Sequence, residues 1–197
     1  IVMFMFNHTI LRVVGEPGIV SYTVISYINT LVLNTMAGIA QGMQPITSYH
    51  YGAGEYKSCR KLLKYSMVMA IAVSFCYLLV LEAFPGFFVG AFLERGEGGL
   101  FYYTVDALRM YSLSYAFIGF NVVASGYFTA VDRPYHSFVL SLGRGMLFLG
   151  GALIVMVKLY GEVGIWLSPV ISELVCAVIG VGMMVAVEER PCFGTMK

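Results

Sequence analysis

Charged side chains are scarce in this chain of 197 residues. Asp, Glu, Lys and Arg make up only 12% of it, whereas 59% of the residues are hydrophobic. The mean hydropathy of +0.81 is higher than a soluble domain can present to water while remaining monomeric. The shortage of charge therefore excludes a soluble globular domain and predicts an integral membrane protein.

Cysteine and histidine are also few, with four and three residues respectively. The cysteines form no CxxC pair and have no histidine at ligand spacing, so the sequence indicates no metal site. The histidines lie near predicted helix ends, without the convergent nucleophile or base that an enzyme needs. We expect free thiols, no cofactor and no enzyme activity. The residues concerned are Cys59, Cys76, Cys176, Cys192, His8, His50 and His136.

The sequence lacks the alternating segments of ~10 residues that are typical of a membrane barrel. It has instead five long apolar runs, separated by breaks that are rich in Gly, Pro and charge. Each run is long enough to cross a ~30 Å hydrocarbon layer as a helix rising ~1.5 Å per residue. The predicted helices cover 19–48, 62–84, 102–130, 136–158 and 163–187.

A sixth apolar run, at residues 1–11, is too short for a span of ~20 residues and lacks the basic flank of a signal peptide. We expect it to be the outer end of a truncated helix. No linker or low-complexity segment of domain size is present. The sequence thus predicts an all-α, polytopic transmembrane helical bundle, with five full spans plus a truncated first helix, as a single domain over 1–197.

Positive charge is distributed unevenly among the predicted loops. If the loop after residue 48 is cytoplasmic, eight Lys and Arg residues lie inside: Lys57, Arg60, Lys61, Lys64, Arg133, Arg144, Arg190 and Lys197. Four lie outside: Arg12, Arg95, Arg109 and Lys158. Because cytoplasmic loops carry the excess of positive charge, we expect this orientation and a cytoplasmic C-terminus. The basic cluster at 57–64 marks that side, and we expect membrane lipid but no nucleic acid as a partner.

Polar side chains follow one face of the predicted helix 19–48 along its full length. At ~100° per residue they fall within an arc of roughly 100°. They either hydrogen-bond to neighbouring helices, at about 1 kcal/mol each, or line a water-filled cavity. Packing needs only one or two such residues, so the long stripe favours the cavity. The face comprises Thr23, Ser26, Tyr27, Thr30, Asn34, Ala37, Gln41, Gln44 and Ser48.

A second polar face is predicted on the helix 102–130, where the polar residues fall within an arc of roughly 80°. They are Tyr111, Ser114, Asn121, Ser125 and Thr129. Asp106 lies near the outer end of this helix, about 60° away from the stripe. It is either an interfacial carboxylate or a titrating group of the same cavity.

Glu173 lies inside the last apolar run, roughly 13 Å along the helix from Gly164 and hence near the middle of the bilayer. A charged, unpaired carboxylate there costs several kcal/mol, so it must be protonated, paired or hydrated. Arg144 in the preceding helix either extends toward the cytoplasmic surface or pairs with this carboxylate. The pair is either a static contact or the titrating group of an ion-coupled carrier.

One segment carries a recognisable order of motifs. Residues 36–66, MAGIAQGMQPITSYHYGAGEYKSCRKLLKYS, combine a Gly-rich helix that ends at Gln44-Pro45 with a turn at Tyr51-Gly52-Ala53. A basic amphipathic helix start containing Arg60 follows.

Two later segments extend this order. Residues 126–155, GYFTAVDRPYHSFVLSLGRGMLFLGGALIV, contain an aromatic helix end, a proline loop and an arginine-bearing helix. Residues 160–175, YGEVGIWLSPVISELV, contain a Gly-x-x-Gly-x-Trp entry to the last helix. In this order and spacing the chain resembles the multidrug and toxic compound extrusion (MATE) family, most closely its bacterial MepA-like and DinF-like members.

The resemblance implies one half of a transporter. Members have twelve helices in two six-helix lobes, and this chain resembles the C-terminal lobe, helices 7–12, without the N-terminal lobe. It implies a secondary active transporter in a prokaryotic plasma (inner) membrane, monomeric when complete. Such a protein expels cationic or amphipathic drugs and xenobiotics in exchange for H⁺ or Na⁺.

Combined with the polar faces, the resemblance gives a set of expected site residues. The cavity wall is expected to contain Tyr27, Asn34, Gln41, Gln44 and Asn121. Glu173 and Asp106 are the expected ion-coupling groups. Two alternatives remain, which are a lipid-linked oligosaccharide flippase of the same superfamily and a non-transporting membrane fragment. The flippase is expected to need a strongly cationic lumen, for which Arg144 is the one candidate.

Overall fold

A computed structural model describes residues 2–95 and 98–189 of the chain. These residues form nine α-helices and one π-helical turn, with no strand among them. The elements are α1 (Val2–Val13), α2 (Glu16–Gly52), α3 (Tyr56–Ala83), α4 (Pro85–Val89), α5 (Gly98–Ser112), α6 (Tyr115–Ala130), α7 (Pro134–Leu142), the π-turn (Gly143–Leu147), α8 (Phe148–Tyr160) and α9 (Glu162–Glu189).

Four helical segments are long and apolar enough to cross a membrane. They are Glu16–Gly52, Tyr56–Ala83, Pro134–Tyr160 and Glu162–Ala186. The predicted all-α membrane bundle is therefore confirmed. Helix α3 begins at Tyr56, earlier than the predicted start at residue 62. The basic cluster 57–64 therefore lies in the first turns of this helix rather than in a loop.

The prediction of one unbroken helix over 102–130 is wrong, because the chain breaks between α5 and α6. The Ser112 hydroxyl lies 2.8 Å from the Arg109 carbonyl oxygen and competes for an acceptor that an unbroken helix gives to a backbone amide. The Ser114 amide then bonds to the Tyr111 carbonyl at 3.0 Å, a tighter three-residue turn. No proline or glycine marks this break in the sequence.

The two halves of this broken helix nevertheless run parallel to α2 along its length. Near one end, the hydroxyls of Ser21 and Thr104 are 2.7 Å apart. Near the other end, the Ser48 hydroxyl donates to the Ala130 carbonyl at 3.1 Å. Together α5 and α6 therefore form the fifth crossing of the bundle.

Helix α6 lies at the centre of the bundle and packs against α2, α3, α7 and α9. Gly119 permits the closest of these approaches, because a Cβ atom there would lie 2.6 Å from the carbonyl oxygen of Ala70 on α3. This central position places the side chain of Asn121, two residues further along α6, in the interior of a membrane bundle.

Helix α2 buries its apolar side and leaves its polar side open. Its buried positions include Val24, Ile25, Ile28, Val32 and Met36. Most of the polar stripe predicted from the sequence lies on the opposite, exposed side. The stripe is thus not covered by the helices that the structure describes.

Candidate functional site

On the exposed polar side of α2, the hydroxyl and amide side chains differ in their hydrogen bonding. The hydroxyls of Thr23 and Thr30 donate to backbone carbonyls one turn earlier, at 2.9 and 2.8 Å, and are therefore satisfied within their own helix. The amide side chains of Asn34 and Gln41 are exposed. Since unpaired amides are costly in hydrocarbon, this side must face water or protein rather than lipid tails.

A cavity of about 270 Å³ opens between α2, α6, α7 and the π-turn. Its polar lining consists of Gln41, Gln44, Asn121, Ser125, Thr129, Ser137, Ser141 and Arg144. Gly126 leaves room for one of the amides, because a Cβ atom there would lie 3.1 Å from Gln44 Nε2. We call this space the larger cavity.

The hydroxyls in the larger cavity form a connected chain. Ser125 Oγ lies 2.7 Å from Ser141 Oγ and 3.1 Å from Ser137 Oγ. Thr129 Oγ1 lies 2.7 Å from Ser137 Oγ. Hydroxyls can rotate between donating and accepting, so this wall of the cavity can adapt to a ligand of either polarity.

Glu173 does not line this cavity but contacts two residues that do, Asn121 and Arg144. Its Oε2 accepts a hydrogen bond from Asn121 Nδ2 at 2.6 Å, and the same amide group lies 2.9 Å from the Glu173 backbone carbonyl. Arg144 Nε is 3.8 Å from Glu173 Oε1, an ion pair that is too long for a hydrogen bond. Of the two readings predicted for Arg144, the structure therefore shows pairing with Glu173.

A smaller cavity of about 140 Å³ lies beside the pair. Its polar lining includes Asn29, Tyr111, Ser114, Ser172 and Glu173, together with Arg144. Arg144 therefore borders both cavities, with the carboxylate beside it. Both members of the charged pair thus line the smaller cavity, and Arg144 also lines the larger one.

The π-turn is what brings Arg144 to this position. It interrupts the span Pro134–Tyr160, and Gly143 packs so closely there that a Cβ atom would lie 2.5 Å from the Phe148 ring. A π-turn rotates the residues on its two sides relative to an α-helix, and such turns are frequent at functional sites. Because Arg144 lies within a span beside Glu173, it does not belong among the cytoplasmic charges. Arg190 and Lys197 of that count lie outside the described residues.

The structure brings only part of the predicted site together. Gln41, Gln44 and Asn121 line the larger cavity. Asn34 and Tyr27 are exposed on α2 and line neither cavity, and Tyr27 stacks on Phe92 with ring centroids 5.7 Å apart. For Tyr27 and Asn34 a role in substrate contact stays a prediction.

Asp106 is exposed on α5 and lines neither cavity. The second polar face, predicted to be continuous, is interrupted by the break after α5. Tyr111 and Ser114 line the smaller cavity, whereas Asn121, Ser125 and Thr129 line the larger one. The physical reason is that a break changes the angle at which the following residues project.

Sequence reasoning missed the contribution of α7. Ser137, Ser141 and Arg144 all line the larger cavity. Their spacing of i, i+4 and i+7 is that of one helical face, so the same periodicity argument could have found them.

Water access to the α2 face can be tested by cysteine labelling. We expect Gln41→Cys to react with a water-soluble, membrane-impermeant maleimide at least about tenfold faster than Val68→Cys, because thiolate forms in water and not in lipid. Val68 is a matched control, since it is 59% exposed on the apolar surface of α3. Cys76, which is exposed, is first replaced by serine. Equal labelling at both positions would contradict a water-lined face.

The amino-acid sequence is similar to that of known proteins. The MatE family model matches residues 1–153. An uncharacterised protein of Mycoplasma genitalium, MG447, is 25% identical over 124 residues, which cover 60% of this chain and 22% of that protein.

Solved structures of MATE transporters share the fold. A multidrug resistance MATE family transporter of the MOP superfamily superimposes in its inward-facing conformation with a TM-score of 0.87 at 19% identity, over 97% of this chain and 45% of that one. In an outward-facing conformation the TM-score is 0.86, again at 19% identity, over 96% of this chain and 43% of that one. This chain thus spans less than half the length of the transporters it matches. Since the family model covers most of its residues, the chain belongs to the MatE family of membrane transporters.

Proposed function

We propose that this chain forms the C-terminal lobe of a secondary active transporter that exports cationic or amphipathic compounds in exchange for an ion. The observation that carries the proposal is the Glu173–Arg144 pair inside a membrane bundle, in which Arg144 lines both cavities and Glu173 the smaller one. An ionisable pair at this depth is expensive and is typical of ion pathways and substrate sites.

The open polar side of α2 supports a second lobe. Alternating access requires two lobes that move against one another around a central site. The exposed amides of Asn34 and Gln41 would then face the partner lobe and the water between the lobes. In this arrangement the larger cavity opens toward that central space.

The geometry favours H⁺ over Na⁺ as the coupling ion. A sodium ion needs several oxygen ligands and no adjacent positive charge, whereas the guanidinium of Arg144 lies 3.8 Å from the Glu173 carboxylate. A proton needs only the carboxylate oxygen itself. We therefore assign the coupling role to Glu173, while for Asp106 that role stays a prediction.

The substrate class rests on the character of the open face. Amides and hydroxyls in the larger cavity suit a polar group, and the exposed Tyr27–Phe92 ring pair suits an apolar or cationic one. The described lining of the larger cavity contains no carboxylate, so the countercharge for a cationic substrate would come from Glu173 or from the other lobe. A lipid-linked oligosaccharide carries a diphosphate, whose negative charge exceeds the single positive charge of Arg144. The lining of the larger cavity therefore argues against a flippase.

An efflux assay tests the proposal. A fluorescent lipophilic cation is loaded into cells that express either the 197-residue chain or a longer protein that also contains the N-terminal lobe, which we call the restored protein. We expect efflux only from the restored protein, and we expect it to stop when the proton gradient is collapsed. If neither protein gives gradient-dependent efflux although both reach the membrane, the proposal fails and a flippase or a non-transporting fragment becomes the better reading.

A further inference from the structure

The guanidinium of Arg144 has unused hydrogen-bonding capacity. Its Nη1 atom is buried and has no hydrogen-bond partner among the described residues. Its contact with Glu173 runs through Nε at 3.8 Å and therefore leaves the rest of the fork free. Guanidinium groups bind oxyanions through their N–H donors, and the Arg144 side chain is 28% exposed and lines the larger cavity, so it can form one half of an anion site there.

The larger cavity supplies the other half. Its described lining has Arg144 as the one charged residue and no Asp or Glu. The same cavity is lined by neutral donors, among them the amides of Gln41 and Gln44 and the rotatable hydroxyls of Ser125 and Ser141. A volume of about 270 Å³ holds a small anion with several waters, since one water occupies about 30 Å³ of liquid.

We propose that the larger cavity is a binding site for a small monovalent anion, either chloride or a carboxylate group, held by Arg144 and the surrounding amides and hydroxyls. One positive charge matches one negative charge, so a monovalent group leaves the site neutral. The site goes beyond the transport proposed above, because it requires binding only and implies no particular cargo.

Protonation of Glu173 and occupation of this site should favour one another. From the elements packed against α9, the charged and titratable groups that face Glu173 are Arg144 and the Tyr111 phenol, and Cys176 lies on α9 itself. While the carboxylate is ionised, the pair with Arg144 is neutral. Once it takes up a proton, the guanidinium loses its countercharge in a low-dielectric environment, and an anion in the adjacent cavity restores neutrality.

The test measures anion binding to the purified, restored protein through its thermal unfolding. Chloride or acetate replaces gluconate at constant ionic strength, at about pH 5 and about pH 8, so that protonated Glu173 is more populated at the lower pH. In the unaltered protein we expect chloride, acetate or both to raise Tm by about 2 °C or more at the lower pH and by less at the higher pH. Acetate alone indicates a carboxylate site, and a response that includes chloride indicates a general monovalent-anion site.

Two variants separate this site from non-specific salt effects. Glu173→Gln, which mimics the protonated carboxyl, should give the full shift at both pH values. Arg144→Gln should abolish it, and chloride NMR line broadening should show binding weaker by about tenfold or more, since the charge-assisted bonds are lost. Lys158→Gln, which removes an exposed cation outside both cavities, should leave the shift unchanged.

The proposal is overturned if neither anion stabilises the unaltered protein, or if the shift persists in Arg144→Gln. If Arg144→Gln fails to fold, the Glu173→Gln variant still tests the proposal. The absence of an anion-induced increase in its Tm at the higher pH would refute the site. Transport is measured separately, by the efflux assay described above. Loss of efflux with an intact anion shift removes the transport proposal and leaves the anion site standing.

Discussion

Glu173→Gln is expected to remove the pH dependence of transport from a protein that remains folded. The carboxamide keeps an oxygen that can accept the Asn121 hydrogen bond, now 2.6 Å long, but it cannot take up or release a proton. Stimulation of efflux by a proton gradient should therefore fall by about 5–150-fold, the usual range of coupling between two binding events. The measurement is efflux of a lipophilic cation from proteoliposomes with and without an imposed pH gradient.

Two other carboxylates provide matched controls for this experiment. Glu82 on α3 lies outside both cavities, where its Oε1 is 2.9 Å from the Ser112 hydroxyl, so Glu82→Gln should preserve the pH dependence. Asp106→Asn tests the competing assignment, which comes from the sequence. If Glu173→Gln responds to the gradient as the unaltered protein does, Glu173 is not the coupling group. Loss of the response in Asp106→Asn would move that role to α5.

Gly164→Ala is expected to be the most destabilising Gly→Ala substitution in α9. A Cβ atom there would overlap the backbone carbonyl of Met156 on α8 and lie 2.9 Å from the Val157 amide nitrogen. Backbone atoms cannot rotate away as a side chain can, so α8 and α9 must move apart. Such overpacking costs about 1–3 kcal/mol, occasionally more.

Thermal unfolding of the purified restored protein measures this effect. A loss of about 1–3 kcal/mol corresponds to a decrease in Tm of several degrees. Gly182→Ala is the control on the same helix, because a Cβ atom there meets nothing within 4 Å. It should be neutral or slightly stabilising, since alanine favours the helix over glycine by about 1 kcal/mol. Similar Tm values for the two alanine variants would show that α8 and α9 do not pack as closely as described.

The close contact at Gly164 also matters for the charged pair. Arg144 precedes α8 and Glu173 lies on α9, so their separation depends on how tightly these two helices pack. We infer that the short α8–α9 distance, set by backbone contact, holds the guanidinium within reach of the carboxylate.

Much of the architecture could be predicted from the sequence, because a bilayer imposes a simple rule. Every span must be long, apolar and internally hydrogen-bonded, so hydropathy and breaks alone located the helices. The same holds for the polar side of α2. Its side chains recur at the helical period, and burial of Val32 and Met36 on the other side follows directly.

The candidate site was predictable only in part. Gln41, Gln44 and Asn121 were expected to line a cavity and do so, whereas Tyr27 and Asn34 share the α2 stripe but lie elsewhere. A helical stripe identifies a face but does not say how much of its length a neighbouring helix will enclose. That depends on where α6 and α7 cross α2.

The sequence by itself determined that this is a helical membrane protein with a buried acid in its last span, since length, hydropathy and local period need no tertiary information. Only the tertiary structure decided the break after Ser112, the π-turn at Arg144 and the contact of that residue with Glu173. Each of these depends on interactions between groups that are distant in the chain or on a choice between hydrogen-bonding patterns of nearly equal energy. The close helix contacts at Gly119 and Gly164 likewise depend on tertiary packing, and no local sequence pattern predicts them.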